Sequence, residues 1–375
     1  MSGSAVAAAP NPGAEAIDIF VPGVGQYDNI GDIILRRQLI AWLKPLGRLH
    51  VYVGASPDGY AESLGVGSDD VVYRSFSSWY RAGLSRAWSG TAHYVFKPGE
   101  IQLTIIGMKE HVVVLPLLAL LRLRGGSVVR VGSGSRDFAP LPRLLMRPSI
   151  ALSQLTAWRD GTTAAYLGGE VMPDLAFGEG AGPSTDAAAE SRDTIVVSMR
   201  SDRPEPGAAW VSGIRRFASE QGLRVEVVTQ VLRDRQRSRD LAAALGADLA
   251  DWDGSDHAGQ EDTLRAVYDR TALAVSDRLH VLIAASTEGA APIALLVDES
   301  GKIDRHFEAA GVSGVGVPSS GLTEDEIVAA LATALQRGPA VRASLANARD
   351  ELELMRARVE GLIAGVPART ELVDA

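Results

Sequence analysis

Short β-branched runs alternate with amphipathic helical stretches along this chain, the pattern breaks off at a segment of small residues, and then the same alternation begins again. That restart is the feature that most limits the fold. Ile17–Pro22 reads as a strand, the polar turn Gly25-Gln26-Tyr27-Asp28-Asn29-Ile30-Gly31-Asp32 follows it, and a helix runs on through Leu43. Strand, glycine-bearing turn and helix open a Rossmann-like unit. Leu49–Val53 and Val128–Val131 read as further strands, with helices over Arg143–Leu155 and Thr162–Leu167. Residues 178–192, rich in Gly, Ala, Pro and Ser, read as a linker.

After the linker the order is strand Thr194–Ser198, helix Ala208–Gln221, strand Arg224–Thr229, helices Arg239–Leu245 and Gln260–Arg270, strand Leu273–Ser276, helix Leu279–Ser286 and strand Ile293–Val297. Helices over Thr323–Gln336 and Ala340–Ile363 close the chain. The expectation is an α/β protein of two Rossmann-like domains with a cleft between them. Its parts are a disordered tail at 1–14, a first domain at 15–177, the linker, a second domain at 193–340, and a terminal helix and tail at 341–375. Val112–Leu121 is about ten apolar residues, too short for a membrane span of roughly 20. It is a core element or a surface patch.

Charge narrows the partners. The net charge of −9 argues against a nucleic-acid protein, which needs a basic excess. Residues 1–178 carry 16 Lys and Arg against 14 Asp and Glu, and residues 179–375 carry 21 against 32, so the first half suits an anionic partner better. With no cysteine, thiolate nucleophiles and cysteine-bound metals are excluded. Met1–Pro10 has no basic stretch before an apolar one and does not read as a secretory signal, so a cytoplasmic location is expected.

The sharpest local signal is Ser276-Asp277-Arg278-Leu279-His280, which ends a strand and opens a helix. Free N–H groups and the helix dipole favour anions at such a place, Arg278 adds a planar cation, and His280 can give or take a proton. The plainer reading pairs Arg278 with a neighbouring carboxylate and lets His280 cap the helix. Arg200 follows Thr194–Ser198 and Lys302 follows Ile293–Val297, so parallel strands would bring Arg200, Arg278 and Lys302 to one rim. About three negative charges suit that trio, which is what a phosphate and a carboxylate on one small molecule carry. Asp32, on a glycine-bearing turn at a strand end, is the first-domain site candidate, or else an N-cap of its helix. Arg159-Asp160 reads as an internal ion pair, and Asp251, Asp253, Asp256 and His257 as a weak cation-site candidate.

Asn29-Ile30-Gly31-Asp32, Val131-Gly132-Ser133-Gly134-Ser135, Trp158-Arg159-Asp160, Pro173-Asp174-Leu175-Ala176-Phe177, Val197-Ser198-Met199-Arg200, Arg278-Leu279-His280 and Gly301-Lys302 stand in an order that resembles the polysaccharide pyruvyl transferases. The resemblance covers roughly residues 17–320. It implies a GT-B-like arrangement of the two domains, phosphoenolpyruvate as donor substrate, no metal or other cofactor, and a donor site using Arg200, Arg278, His280 and Lys302. Asn29 and Asp32 would serve the sugar acceptor. The family's Gly-Gly-Gly turn is replaced by Lys97-Pro98-Gly99-Glu100, a departure on the acceptor side. Acceptors of this kind are built on lipid diphosphates, so weak contact of the first domain with the inner membrane face is expected, through Val112–Leu121 with Arg122 and Arg124. Two other readings remain open. Glu288-Gly289-Ala290-Ala291-Pro292 resembles a donor-side turn of nucleotide-sugar glycosyltransferases, and a non-catalytic glycopolymer-binding subunit would keep the same fold.

Overall fold

The computed structural model describes residues 17–89, 92–180, 192–298 and 301–365. The expected tail at 1–14 and most of the expected linker lie outside these residues. Two parallel sheets are present, as the alternation predicted. The first holds β1 Asp18–Pro22, β2 Arg48–Tyr52, β3 Val71–Tyr73, β4 Ala92–Val95, β5 Gly99–Ile101, β6 Val128–Ser135, β7 Leu155–Trp158 and β8 Glu170–Val171. Their order is β3-β2-β1-β4-β6-β7-β8, with β5 pairing along the end of β6. The second holds β9 Thr194–Ser198, β10 Arg224–Val228, β11 Asp248–Ala250, β12 Thr271–Ser276, β13 Ala291–Leu296 and β14 Gly316–Pro318, in the order β11-β10-β9-β12-β13-β14.

Both central strands, β1 and β9, have their next strand on one side and a later one on the other. Each sheet therefore has a switch point beside its first strand, where open α/β sheets leave a crevice at the carboxyl ends. Strands buried on both faces read as unbroken apolar runs, and Thr194–Ser198 is buried throughout. The helix Ala208–Gln221 ends where Gly222 turns left-handed, at φ 65°.

One apolar cluster joins the two domains. Ile33, Leu39 and Leu43 of the helix Ile30–Leu43 share it with Val281 and Leu282 of the second domain and with Leu352, Met355 and Val359 of the last helix, Gly338–Ile363. That helix crosses back onto the first domain, where Ser127 Oγ donates to the Leu362 carbonyl at 2.6 Å. The seam is also hydrogen-bonded: Ile30 N–H donates to the Gln230 carbonyl and Leu232 N–H to that of Asp28.

Several elements differ from expectation. The helix expected over Arg143–Leu155 is Pro140–Leu152, and Leu155 starts β7 instead. Val112–Leu121 is split between the helices Lys109–Val113 and Leu115–Leu123, because Pro116 fits only at a helix start. Leu117, Leu118 and Leu121 are core residues, whereas Val112 and Val113 are exposed. The Gly132-Ser133-Gly134 stretch lies within β6 rather than after it.

Candidate active site in the interdomain cleft

The carboxyl ends of strands from both sheets border a cavity of about 690 Å³. Glu100, Ser135, Arg136 and Arg159 line it from the first domain, and Arg200, Asp277, Leu279 and Lys302 from the second. Arg203 and Arg305 bring the lining cations to six, facing the four carboxylates Glu100, Asp202, Asp277 and Asp298. The excess is cationic, in a chain whose net charge is −9.

Two of the expected donor cations are on this wall. Arg200 follows β9, with its Nε 2.8 Å from Asp202 Oδ1 and its Nη2 2.6 Å from Oδ2. Lys302 opens the helix Lys302–Glu308, and its Nζ reaches across the cleft to Glu100 Oε2 at 2.7 Å. Arg136 Nε holds the other oxygen of Glu100 at 2.8 Å. Gly99, at φ 110°, makes the turn that sets Glu100 there, a conformation a side chain would strain. Burial raises the Glu100 pKa, but Lys302 and Arg136 hold it below the usual range. Burial and Arg159 lower that of Lys302, with Glu100 opposing them.

Arg278 and His280 lie behind the wall, with Leu279 between them lining the cavity. Arg278 is taken up by Asp234: Nε donates to Oδ2 and Nη2 to Oδ1, each at 2.7 Å. Its expected place on the rim is therefore corrected to a part-buried pairing that shapes the rim, since Asp234 also accepts from Ser201 N–H at 2.9 Å. His280 sits in the seam, so close beneath Gly31 that a Cβ at position 31 would overlap its own. Its side chain is 16% exposed, and Nε2 stands 3.7 Å from Asp174 Oδ2, too far for a hydrogen bond. His280 Nε2 is buried and has no hydrogen-bond partner.

Asn29 and Asp32 shape the turn beside this seam rather than lining the cavity. Asn29 is the N-cap, its Oδ1 accepting from Asp32 N–H at 3.3 Å. Asp32 accepts from Gln26 N–H at 2.8 Å and pairs with Arg36 at 2.5 Å. Its pKa is lowered despite burial, which raises it, because Arg36 and that N–H stabilise the charge.

The roles of four lining or supporting residues escaped the sequence reading. Arg159 pairs with Asp174 at 2.7 Å, both fully buried, while Asp160 caps the helix Gly161–Leu167, so the expected Arg159–Asp160 pair is corrected. Burial pushes the Asp174 pKa up, yet Arg159 and His280 hold it well below the usual range. His306 lines the cavity as a neutral ring: burial and Arg159 push its pKa well down, Nδ1 donates to the Lys302 carbonyl at 2.7 Å, and Nε2 has no partner. Asp277 accepts from Arg200 N–H at 2.8 Å, its Oδ2 has no partner, and burial pushes its pKa up to about 6. The acidic loop is used internally, with Asp251 held by Arg235 and Arg239, and no group of three metal-ligating side chains occurs among the described residues.

Above pH 6 Asp277 adds a negative charge to an otherwise cationic wall, and below it that charge is lost. Asp277→Asn should therefore bind a small dianion about tenfold more tightly at pH 7.5. Because a phosphate ligand titrates near pH 6 as well, the test is the affinity ratio of variant to wild type, measured by calorimetry at each pH. That ratio should fall towards one at pH 5, and a flat ratio would assign Asp277 no charge role.

Two Rossmann-like domains, each a parallel sheet with its carboxyl edge facing a shared cleft, make a GT-B-like fold. Solved structures agree on the fold. A putative UDP-N-acetylglucosamine 2-epimerase from Listeria monocytogenes superposes with a TM-score of 0.56 at 10% identity, covering 92% of this chain and 96% of that one. The UDP-GlcNAc 2-epimerase from Neisseria meningitidis, bound to UDP-GlcNAc, gives 0.56 at 9% identity, covering 91% and 99%. Anabaena HepE in complex with UDP-glucose gives 0.52 at 10%, covering 93% and 98%. No curated protein matches the sequence significantly. The polysaccharide pyruvyl transferase profile matches residues 29–299, and the chain belongs to that family.

Proposed function

We propose that the protein moves the enolpyruvyl group of phosphoenolpyruvate onto two hydroxyls of a sugar in a cell-wall or extracellular polysaccharide precursor, forming a pyruvate ketal and releasing phosphate. The observation that carries the reading is the cluster of six lining cations in one cleft cavity, within a chain that is otherwise acidic. Phosphoenolpyruvate brings about three negative charges, from its phosphate and its carboxylate. Arg200 and Lys302 are the cations best set to hold them, with Arg159 and Arg305 beside them. The reading uses side chains in place of a metal to meet that charge.

The reaction needs a proton at C3, attack of one hydroxyl oxygen on C2, rupture of the C2–O bond to phosphate, and closure by the second hydroxyl. The two hydroxyls lose two protons, C3 keeps one, and the departing phosphate takes the other. His280 is assigned the proton to C3, since an imidazole can both give and take a proton; its Nε2 lies behind Leu279 and has to be uncovered as substrate binds. Cations around the phosphate stabilise the charge that grows as it leaves. Arg278 acts at one remove, holding Asp234 and through it Ser201 beside Arg200. Phosphate release from phosphoenolpyruvate that requires a glycoside supports the reading; release that ignores the glycoside opposes it.

The first domain also has a face suited to an anionic bilayer, where a lipid-linked acceptor would be met. Ile105 is 65% and Ile106 86% exposed, and Leu141 and Leu144 of the neighbouring helix Pro140–Leu152 project as well. Lys109, Arg122, Arg124 and Arg147 are exposed on the same group of elements. Exposed apolar side chains together with cations are how a peripheral protein holds a membrane surface. No helix among the described residues is long and apolar enough to cross one. Vesicles of phosphatidylglycerol and phosphatidylethanolamine should bind the chain weakly at low salt. Replacing Ile105 and Ile106, or Arg122 and Arg124, by Ser should weaken that binding, and no sedimentation with vesicles at low salt would contradict it.

A further inference from the structure

A second cavity, of about 290 Å³, lies in the first domain near the carboxyl ends of β1 and β4. This is the switch point of the first sheet, since β2 flanks β1 on one side and β4 on the other. Its volume is close to the lower end of small-molecule sites, about 300–1,000 Å³. Tyr52, Phe76, Trp79, Tyr94 and Phe96 give it an aromatic wall. Glu100 lines both this cavity and the cleft cavity, so the two adjoin.

Arg130, from the middle of β6, belongs to the same wall and is fully buried. Its Nη2 donates to Ser149 Oγ at 3.1 Å, but Nε and Nη1 have no partner. No carboxylate pairs with it among the described residues. The guanidinium carbon sits 3.5 Å from the Phe96 ring centroid, a contact that offsets only part of the cost of burying the charge. Burial pulls its pKa down to about 9, so it stays charged at neutral pH. His111, in the same wall, is also buried with Nδ1 unpartnered. The other charges are already matched: Lys97 pairs with Glu110 at 2.8 Å, and Glu100 with Lys302 and Arg136. The wall therefore holds one buried cation in want of an anion.

We propose that this cavity is an acceptor subsite for a sugar carrying an anionic substituent, a carboxylate or a phosphate, which Arg130 meets while the pyranose ring lies against the aromatic wall. The inference rests on the acceptor side of the proposed transfer and names the class of sugar. Ligand pockets of this kind combine aromatic lining with a few placed polar groups that set specificity. A neutral sugar gains only the wall.

The test is calorimetric titration of the full chain, without phosphoenolpyruvate, with methyl β-D-glucoside, methyl β-D-glucuronide and glucose 6-phosphate. At least one of the two anionic sugars should bind about tenfold or more tightly than the neutral glucoside, and the preferred one identifies the anion. In Arg130→Met that preference should vanish while the thermal midpoint holds or rises, because an unpaired buried charge has been removed. Phe76→Ala, at a half-buried wall position, should weaken all three sugars alike. Equal affinities in the wild type overturn the proposal, as does a preference that survives Arg130→Met. Where Arg130→Met does not fold, Phe76→Ala decides the matter: unchanged affinity for the anionic sugars there would place them in the cleft and overturn the proposal. Because no donor is present, failure here is distinct from failure of the phosphate-release reading.

Discussion

Replacing His280 by glutamine is expected to lower turnover by about 10²–10⁴ while leaving phosphoenolpyruvate affinity near the wild-type value. The imidazole opens the helix Leu279–Thr287, whose first residue lines the cleft, and its Nε2 has no hydrogen bond to give up. Glutamine keeps the polarity and much of the volume under Gly31 but cannot give and take a proton as imidazole does. Single-turnover phosphate release separates the chemical step from binding. Turnover within a few-fold of wild type would move the proton role to a group on the cavity wall itself, with Asp277 the first to examine, since its pKa is already raised to about 6.

Asp174→Asn is expected to cost about 3–5 kcal/mol of stability, because it removes the partner of a fully buried Arg159. Lys302 stands near that guanidinium and adds to the positive charge left there. The pH dependence carries a sign. The Asp174 pKa is depressed in the folded state, so its stabilisation is complete above the ordinary aspartate range and is lost as pH falls through the lower folded value. The gap between wild type and variant in chemical denaturation should thus be constant from about pH 5 to 8 and shrink below about pH 4. A gap that instead grows in acid would assign the loss to packing rather than to the ion pair.

The second domain was the more legible half. Thr194–Ser198 and Ala208–Gln221 match the observed bounds because one is an uninterrupted β-branched strand and the other closes at a glycine. In the first domain Val71–Tyr73 and Glu170–Val171 are two or three residues long, too short for period-2 alternation to register. Leu155–Trp158 follows a helix so closely that its first residue read as helical. The helix Phe76–Ser89 went unread as well.

The site divides along the same physical line. Arg200 and Lys302 were found because each sits just beyond a strand end, a position the alternation itself marks. What Arg278 and Lys302 pair with was invisible, since those partners are distant in sequence, whereas Arg200 pairs with Asp202 two residues on. Arg278 lies 44 residues from Asp234, and Lys302 lies 202 residues from Glu100. Arg159 looked paired to its neighbour Asp160, but the tertiary fold gives it Asp174, and Asp160 is spent on a helix cap. The Lys97-Pro98-Gly99-Glu100 turn looked only like a departure from family pattern. In the structure it supplies the carboxylate that meets Lys302 across the cleft and lines both cavities.

The most direct test of the central claim is to incubate the full chain with phosphoenolpyruvate and a panel of lipid-linked or synthetic glycosides, following acceptor mass and free phosphate together. The expected result is one phosphate released for each acceptor that gains a pyruvate ketal, with no inhibition by nucleoside diphosphates. Absence of any ketal, together with sugar transfer from a nucleoside-diphosphate sugar to the same acceptors, would contradict it.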